Sequence, residues 1–118
     1  MNGKFELDKK FERVGRESCF ISEISLAELK FGVENSEHRT KNQKALDDFL
    51  IEIKVLAIVD AIDFYAKEKA RLRKIGISIE EFDLLIGATA VTQNLIMVTN
   101  NTEHFKRIKG IHLEDWTK

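Results

Sequence analysis

The sequence predicts an α/β domain built on a mostly parallel sheet with helices on both faces. Three observations predict it. Short apolar runs, too brief to be helices, alternate along the chain with segments of helical period. Those runs show no polar/apolar alternation, as expected of strands covered on both sides. And with no proline anywhere, glycine, asparagine and capping residues are left to mark the boundaries.

Taken in order, Lys4 to Val14 reads as a short helix with Leu7, Phe11 and Val14 on one face, ended by Gly15. Ser18 to Ile24, SCFISEI, reads as a short strand. Ser25 starts a helix to about Glu34, with Leu26, Leu29 and Val33 turned inward. Residues 42–53 form an amphipathic helix in which Ala45, Leu46, Phe49, Leu50 and Ile53 share a face. Val55 to Val59 is a buried strand. Asp60 caps a helix that runs to Ile75 and stops at Gly76. The next helix carries Leu84, Leu85, Ile86, Ala88, Ala90 and Val91 and has no polar side, so it is expected to be buried nearly all round. Within it, Gly87 and Ala88 permit close approach to a sheet. Asn94 can end it in the left-handed conformation. Leu95 to Thr99 is a buried strand, 102–107 a short helix, and Ile111 to Leu113 an edge strand.

The totals exclude several classes. The 118 residues, 43% hydrophobic and 33% charged, suit a single globular domain over 1–118. A formal net charge of −1 gives no overall basic field. Cys19 is the one cysteine, which leaves no disulfide framework and points to a reducing cytoplasm. No apolar stretch approaches membrane-spanning length, and no membrane partner is expected. The dinucleotide, Walker, zincin and nucleophile-elbow motifs are missing from the sequence.

In parallel sheets, functional groups gather at the carboxyl ends of strands. Three positions fit that rule. Glu28 follows the first strand by about a turn, Asp83 heads the apolar helix, and Asn101 follows the strand that ends at Thr99. Carboxylates converging from separate elements can hold a hard cation such as Mg²⁺. Each has a plain structural reading too. Ser25-Leu26-Ala27-Glu28 is a capping box. Asp83 can be an acid favoured by the helix dipole, or, if Ser78-Ile79-Glu80-Glu81 caps instead, an acid inside the helix that is costly unless paired. Asn100 and Asn101 suit a turn. His38 and His104 read as surface residues, and Arg71, Arg73 and Lys74 as a solvated face or a phosphate rail.

The stretches ISEISLAELKFGVENS (21–36), FDLLIGATA (82–90) and LIMVTNNTEHFKRI…LEDW (95–116) resemble the VapC toxins of toxin–antitoxin pairs, which are PIN-domain ribonucleases. The resemblance runs from about Lys4 to Trp116. It implies a PIN-like three-layer α/β/α sandwich and a Mg²⁺- or Mn²⁺-dependent endoribonuclease acting on RNA, often tRNA. It also implies a homodimer restrained by a cognate antitoxin. By position it assigns Glu28 and Asp83 as metal-binding acids and Asn101, with Thr99 beside it, to the same catalytic site. One departure stands out. Such domains begin with an apolar strand ending in Asp, in a stretch like LLDTN, whereas Met1-Asn2-Gly3 leads straight into what resembles the first helix region. The resemblance places that strand mid-sheet and makes its Asp a principal ligand. A misplaced start, a deliberate truncation and a natural remnant are alike compatible with this. A chain without the strand is expected to be weak or inactive alone and to fill the slot by strand exchange or dimer rearrangement. The rival expectation is a non-catalytic scaffold that binds an antitoxin or a second copy.

Overall fold

The computed structural model of the protein describes residues 19–115. The helix expected over Lys4 to Val14, its stop at Gly15, and Trp116 lie outside the described residues. The element order is β1 (Phe20–Ser22), α1 (Glu23–Glu34), α2 (Arg39–Glu52), β2 (Lys54–Leu56), a 3₁₀ turn (Val59–Ala61), α3 (Ile62–Lys74), α4 (Glu81–Thr92), β3 (Ile96–Val98), α5 (Thr102–Phe105) and β4 (His112–Glu114).

All strand pairing among the described residues is parallel. β1 lies beside β2, with Phe20 opposite Lys54 and Ser22 opposite Leu56. β3 lies beside β4, with Ile96 opposite His112 and Val98 opposite Glu114. A parallel pair needs a long crossover: α1 and α2 provide it in the first case, α5 and the loop behind it in the second. Among the described residues the expected single sheet is therefore divided into two pairs.

The division changes the burial of the strands. The stretches starting at Val55 and Leu95 are expected from sequence to be buried, yet Val55, Ile96 and Val98 are 38%, 57% and 40% exposed. Two-stranded ribbons leave apolar side chains uncovered unless a further strand or helix lies over them. Leu29, expected to face inward, is exposed as well, while Val33 and Leu46 are buried. Ala45 is exposed, and Phe49 and Leu50 are half-buried, so α2 buries a narrower face than its pattern suggests.

The main core lies between α3, α4, α5 and the β3–β4 pair. Leu72, Leu84, Phe105 and Ile108 are its buried centre, with Phe64, Tyr65, Met97 and Leu113 among the side chains packed around it. α4 touches α1, α3, the 3₁₀ turn and β3, which is why its sequence lacks a polar stripe. Its burial is still less complete than expected. Leu84, Gly87, Ala88 and Thr89 are buried, Leu85, Ile86, Ala90 and Val91 are half-buried, and Phe82 is exposed. Gly87 does allow a close approach, but to a loop rather than a strand: a Cβ there would meet Ile108 Cδ1 at 2.5 Å.

Local chemistry sets the helix ends. α1 begins earlier than expected because Ser22, not Ser25, caps it, its hydroxyl accepting from the Ser25 N–H at 3.1 Å. Asp60 falls inside the 3₁₀ turn and makes no side-chain cap for α3. α3 and α4 stop as expected. Gly76 (φ +77°) and Asn94 (φ 57°) take the left-handed conformation. Behind each, the next residue's N–H reaches back into the helix: Ile77 to the Leu72 carbonyl and Leu95 to the Ala90 carbonyl, both at 2.9 Å.

Candidate functional site

A tight turn joins α4 to β3, so α4 runs opposite to the strand and its N-terminus lies where β3 ends. Glu80 caps that N-terminus, its carboxylate accepting from the Asp83 N–H at 3.1 Å. Asp83 is thus a first-turn acid, in the position the helix dipole favours, and not an acid in mid-helix. Its carboxylate is 35% exposed and has the imidazole of His104 next to it, Nε2 3.4 Å from Oδ2.

His104 comes from α5, just beyond β3. The turn that delivers it is fixed by two of the expected site residues. Thr99 Oγ1 accepts from the Asn101 N–H at 3.0 Å, and the Asn101 carbonyl accepts from the N–H groups of His104 and Phe105 at 3.1 and 3.3 Å. Asn101 occupies the N-cap position of α5 without a side-chain capping bond, so its exposed amide remains available to solvent. The structure therefore brings Asp83, Thr99, Asn101 and His104 to one edge.

Glu28 sits exposed on the second turn of α1, a helix that packs against α4. The capping-box alternative for Glu28 is not realised, because the N–H and hydroxyl of Ser25 both face Ser22. Glu28 has no hydrogen-bond or ion-pair partner among the described residues.

The loop between α5 and β4 is tied to α3 by an ion pair whose carboxylate is buried and whose guanidinium is partly exposed. Glu68, 4% exposed, accepts from Arg71 Nε and Nη2 at 2.7 and 2.6 Å and from the Lys109 N–H at 2.6 Å. Arg71 also donates to the Arg107 carbonyl at 2.9 Å. Arg71 remains partly solvated while linking α3 to the loop between α5 and β4. These donors, the Arg71 guanidinium foremost, hold the Glu68 carboxyl below its usual range.

His104, expected to be a surface residue, is instead partly buried beside Asp83. The available signal was its place three residues after Asn101, in the first turn of the helix at the carboxyl end of β3. As for a cation, no group of three or more His, Cys, Asp or Glu side chains among the described residues is arranged to hold one. The donor chemistry suits Mg²⁺ all the same. That ion takes hard oxygen ligands, keeps several waters and is commonly held by only one or two carboxylates.

Parallel strand pairs, flanking helices and an acid at the carboxyl edge define an α/β domain of PIN type. The sequence matches the PIN domain family over residues 3–111, and the chain belongs to that family, on its VapC side. It is 40% identical over 99 residues to Ribonuclease VapC2 of Rickettsia felis, covering 83% of this chain and 74% of that protein. It is 35% identical over 98 residues to the tRNA(fMet)-specific endonuclease VapC of Shigella flexneri, covering 82% and 74%. Among solved structures it is similar to the DNA-bound VapBC of Salmonella typhimurium, with a TM-score of 0.88 and 30% identity over 94% of this chain and 84% of that one. VapBC-1 of nontypeable Haemophilus influenzae gives a TM-score of 0.80 at 30% identity, over 85% and 75%.

Proposed function

We propose that the protein is the toxin of a type II toxin–antitoxin pair, a metal-dependent endoribonuclease that hydrolyses RNA phosphodiesters, with tRNA as the leading substrate. The observation that carries this is Asp83 at the N-terminus of α4, met by the polar turn after β3, in a chain whose relatives are named ribonucleases and tRNA endonucleases. The cognate antitoxin and a second copy are its inferred protein partners; similar structures are VapBC assemblies. No helix among the described residues is long and apolar enough to cross a membrane, and a cytoplasmic location fits an RNA substrate.

Asp83 and Glu28 are the residues that would hold Mg²⁺ or Mn²⁺. When bound, such an ion activates water and neutralises charge on a phosphodiester. The chain's own groups do the rest. The first turn of α4 sets the Asp83 carboxylate at the rim. Thr99 fixes the turn that presents Asn101, and the Asn101 amide orients water or a phosphate oxygen.

A second reading is a non-catalytic module that binds an antitoxin or another copy. It is favoured by the similar solved structures, which are VapBC assemblies. One assay separates the two. The chain and its Asp83→Asn and Glu28→Gln variants are incubated with labelled tRNA and Mg²⁺, with and without EDTA. Cleavage that is lost with EDTA and with each substitution supports the nuclease. Intact tRNA in every lane, from protein that still binds an antitoxin, supports the module.

A further inference from the structure

We propose that His104 is a positioning residue of the acidic edge, whose Nε2–H fixes the orientation of the Asp83 carboxylate. The inference deepens the nuclease reading and rests on it. Three observations meet at this point. The imidazole Nε2 lies 3.4 Å from Asp83 Oδ2, which is within ionic reach but longer than a good hydrogen bond. The same Nε2 is buried and has no hydrogen-bond partner. And among the described residues the Asp83 carboxylate has no hydrogen bond, and His104 is its one ion-pair neighbour.

A buried ring nitrogen without a hydrogen-bond partner is unfavourable, and with its proton on Nε2 the ring has an acceptor in the Asp83 carboxylate beside it. A hydrogen bond between the two would satisfy both groups, and catalytic hydrogen bonds that are long or poorly aligned in a free protein commonly tighten when substrate binds.

The ring is well mounted for this role. Its edge-to-face contact with Phe105, with centroids 5.1 Å apart and planes at 81°, rests it on a buried core residue. The backbone N–H of His104 is bound to the Asn101 carbonyl. A side chain fixed on both counts can restrict a carboxylate that has no other partner. Groups that hydrogen-bond a metal-binding carboxylate set its direction, and removing one typically weakens metal affinity or activity about 10- to 100-fold.

The test uses the full chain, with Mn²⁺ alone as the probe. His104→Leu keeps apolar packing but has no donor. His104→Gln returns an N–H near the place of Nε2. Calorimetry reads Mn²⁺ affinity, thermal melting reads the fold, and ¹⁵N NMR of the unsubstituted protein reads which imidazole nitrogen carries the proton. The expected result has four parts: Nε2 protonated, its resonance shifted in Asp83→Asn, Mn²⁺ affinity down about 10-fold or more in His104→Leu, and most of that recovered in His104→Gln. Wild-type affinity in a folded His104→Leu, alongside loss of Mn²⁺ in Asp83→Asn, overturns the role of His104 and leaves the metal reading standing. So does an Nε2 without a proton. An unsubstituted chain that binds no Mn²⁺ overturns both.

Discussion

Replacing Glu68 by glutamine separates charge from shape at its ion pair with Arg71. The carboxylate takes three hydrogen bonds, two from Arg71 and one from the Lys109 N–H. Glutamine keeps the volume but presents one acceptor oxygen and an NH₂, so one of the two faces of the pair becomes donor against donor. Arg71 is 38% exposed and can swing into water, so its loss is largely compensated by solvent. Lys109 offers a backbone N–H on a loop held by buried Ile108 and cannot follow. The amide oxygen must therefore stay at the Oε2 position, where it serves Lys109 and Arg71 Nη2 without the carboxylate's charge and leaves its NH₂ against Arg71 Nε. Hydrogen bonds to charged groups contribute about 1.5–3 kcal/mol each, and a single stranded buried group costs about 1–3 kcal/mol. The expected loss is therefore about 2–3 kcal/mol, or roughly 10 °C in Tm for a domain of this size.

Urea unfolding and thermal melting at neutral pH measure it. The Glu68 carboxyl is held below the usual carboxylate range. The stability it contributes is therefore fully present above that range and is lost as pH falls through the lowered folded value. The substituted amide does not titrate, so the gap between the two proteins should close on the acid side of that window. A Glu68→Gln loss under about 0.5 kcal/mol, or a gap that does not vary with pH, would refute the argument that the carboxylate fastens this loop.

Other outcomes follow from the same geometry. Gly87→Ala should destabilise by about 1–3 kcal/mol in urea titration, because the added methyl lands on Ile108 Cδ1, 2.5 Å away in a packed core. Ser22→Ala should lose about 1 kcal/mol through its missing N-cap, while Ser25→Ala, inside the helix, should lose much less; urea titration of both variants checks this. At Asn94 (φ 57°), Gly should be tolerated and Ala should lose about 1 kcal/mol, read as a pair of melting curves.

Local features of the fold were legible in the sequence because their causes are local. The stops at Gly76 and Asn94 depend on a single left-handed residue, and the alternation of short apolar runs with helices follows from hydrogen-bond geometry alone. Where a cap competed with a neighbour, the sequence was ambiguous. Ser22 and Ser25 both offer a hydroxyl, and the choice of Ser22 settled at once where α1 begins and that Glu28 is not a capping partner. Glu80 did the same for Asp83. The burial of the strands was misjudged because an apolar run shows that a residue can be covered, not that anything covers it. Val98 and Ile96 remain exposed for want of a neighbour among the described residues.

By itself the sequence determined the class of fold, the order of its elements and the acids that head them, because period, caps and glycine positions act over a few residues. Only the tertiary structure decided what stands beside those acids. Asp83 meets His104, and Glu68 reaches Lys109 forty-one positions away. Such pairings depend on how helices stack and loops return, and no local propensity encodes a distance across the chain.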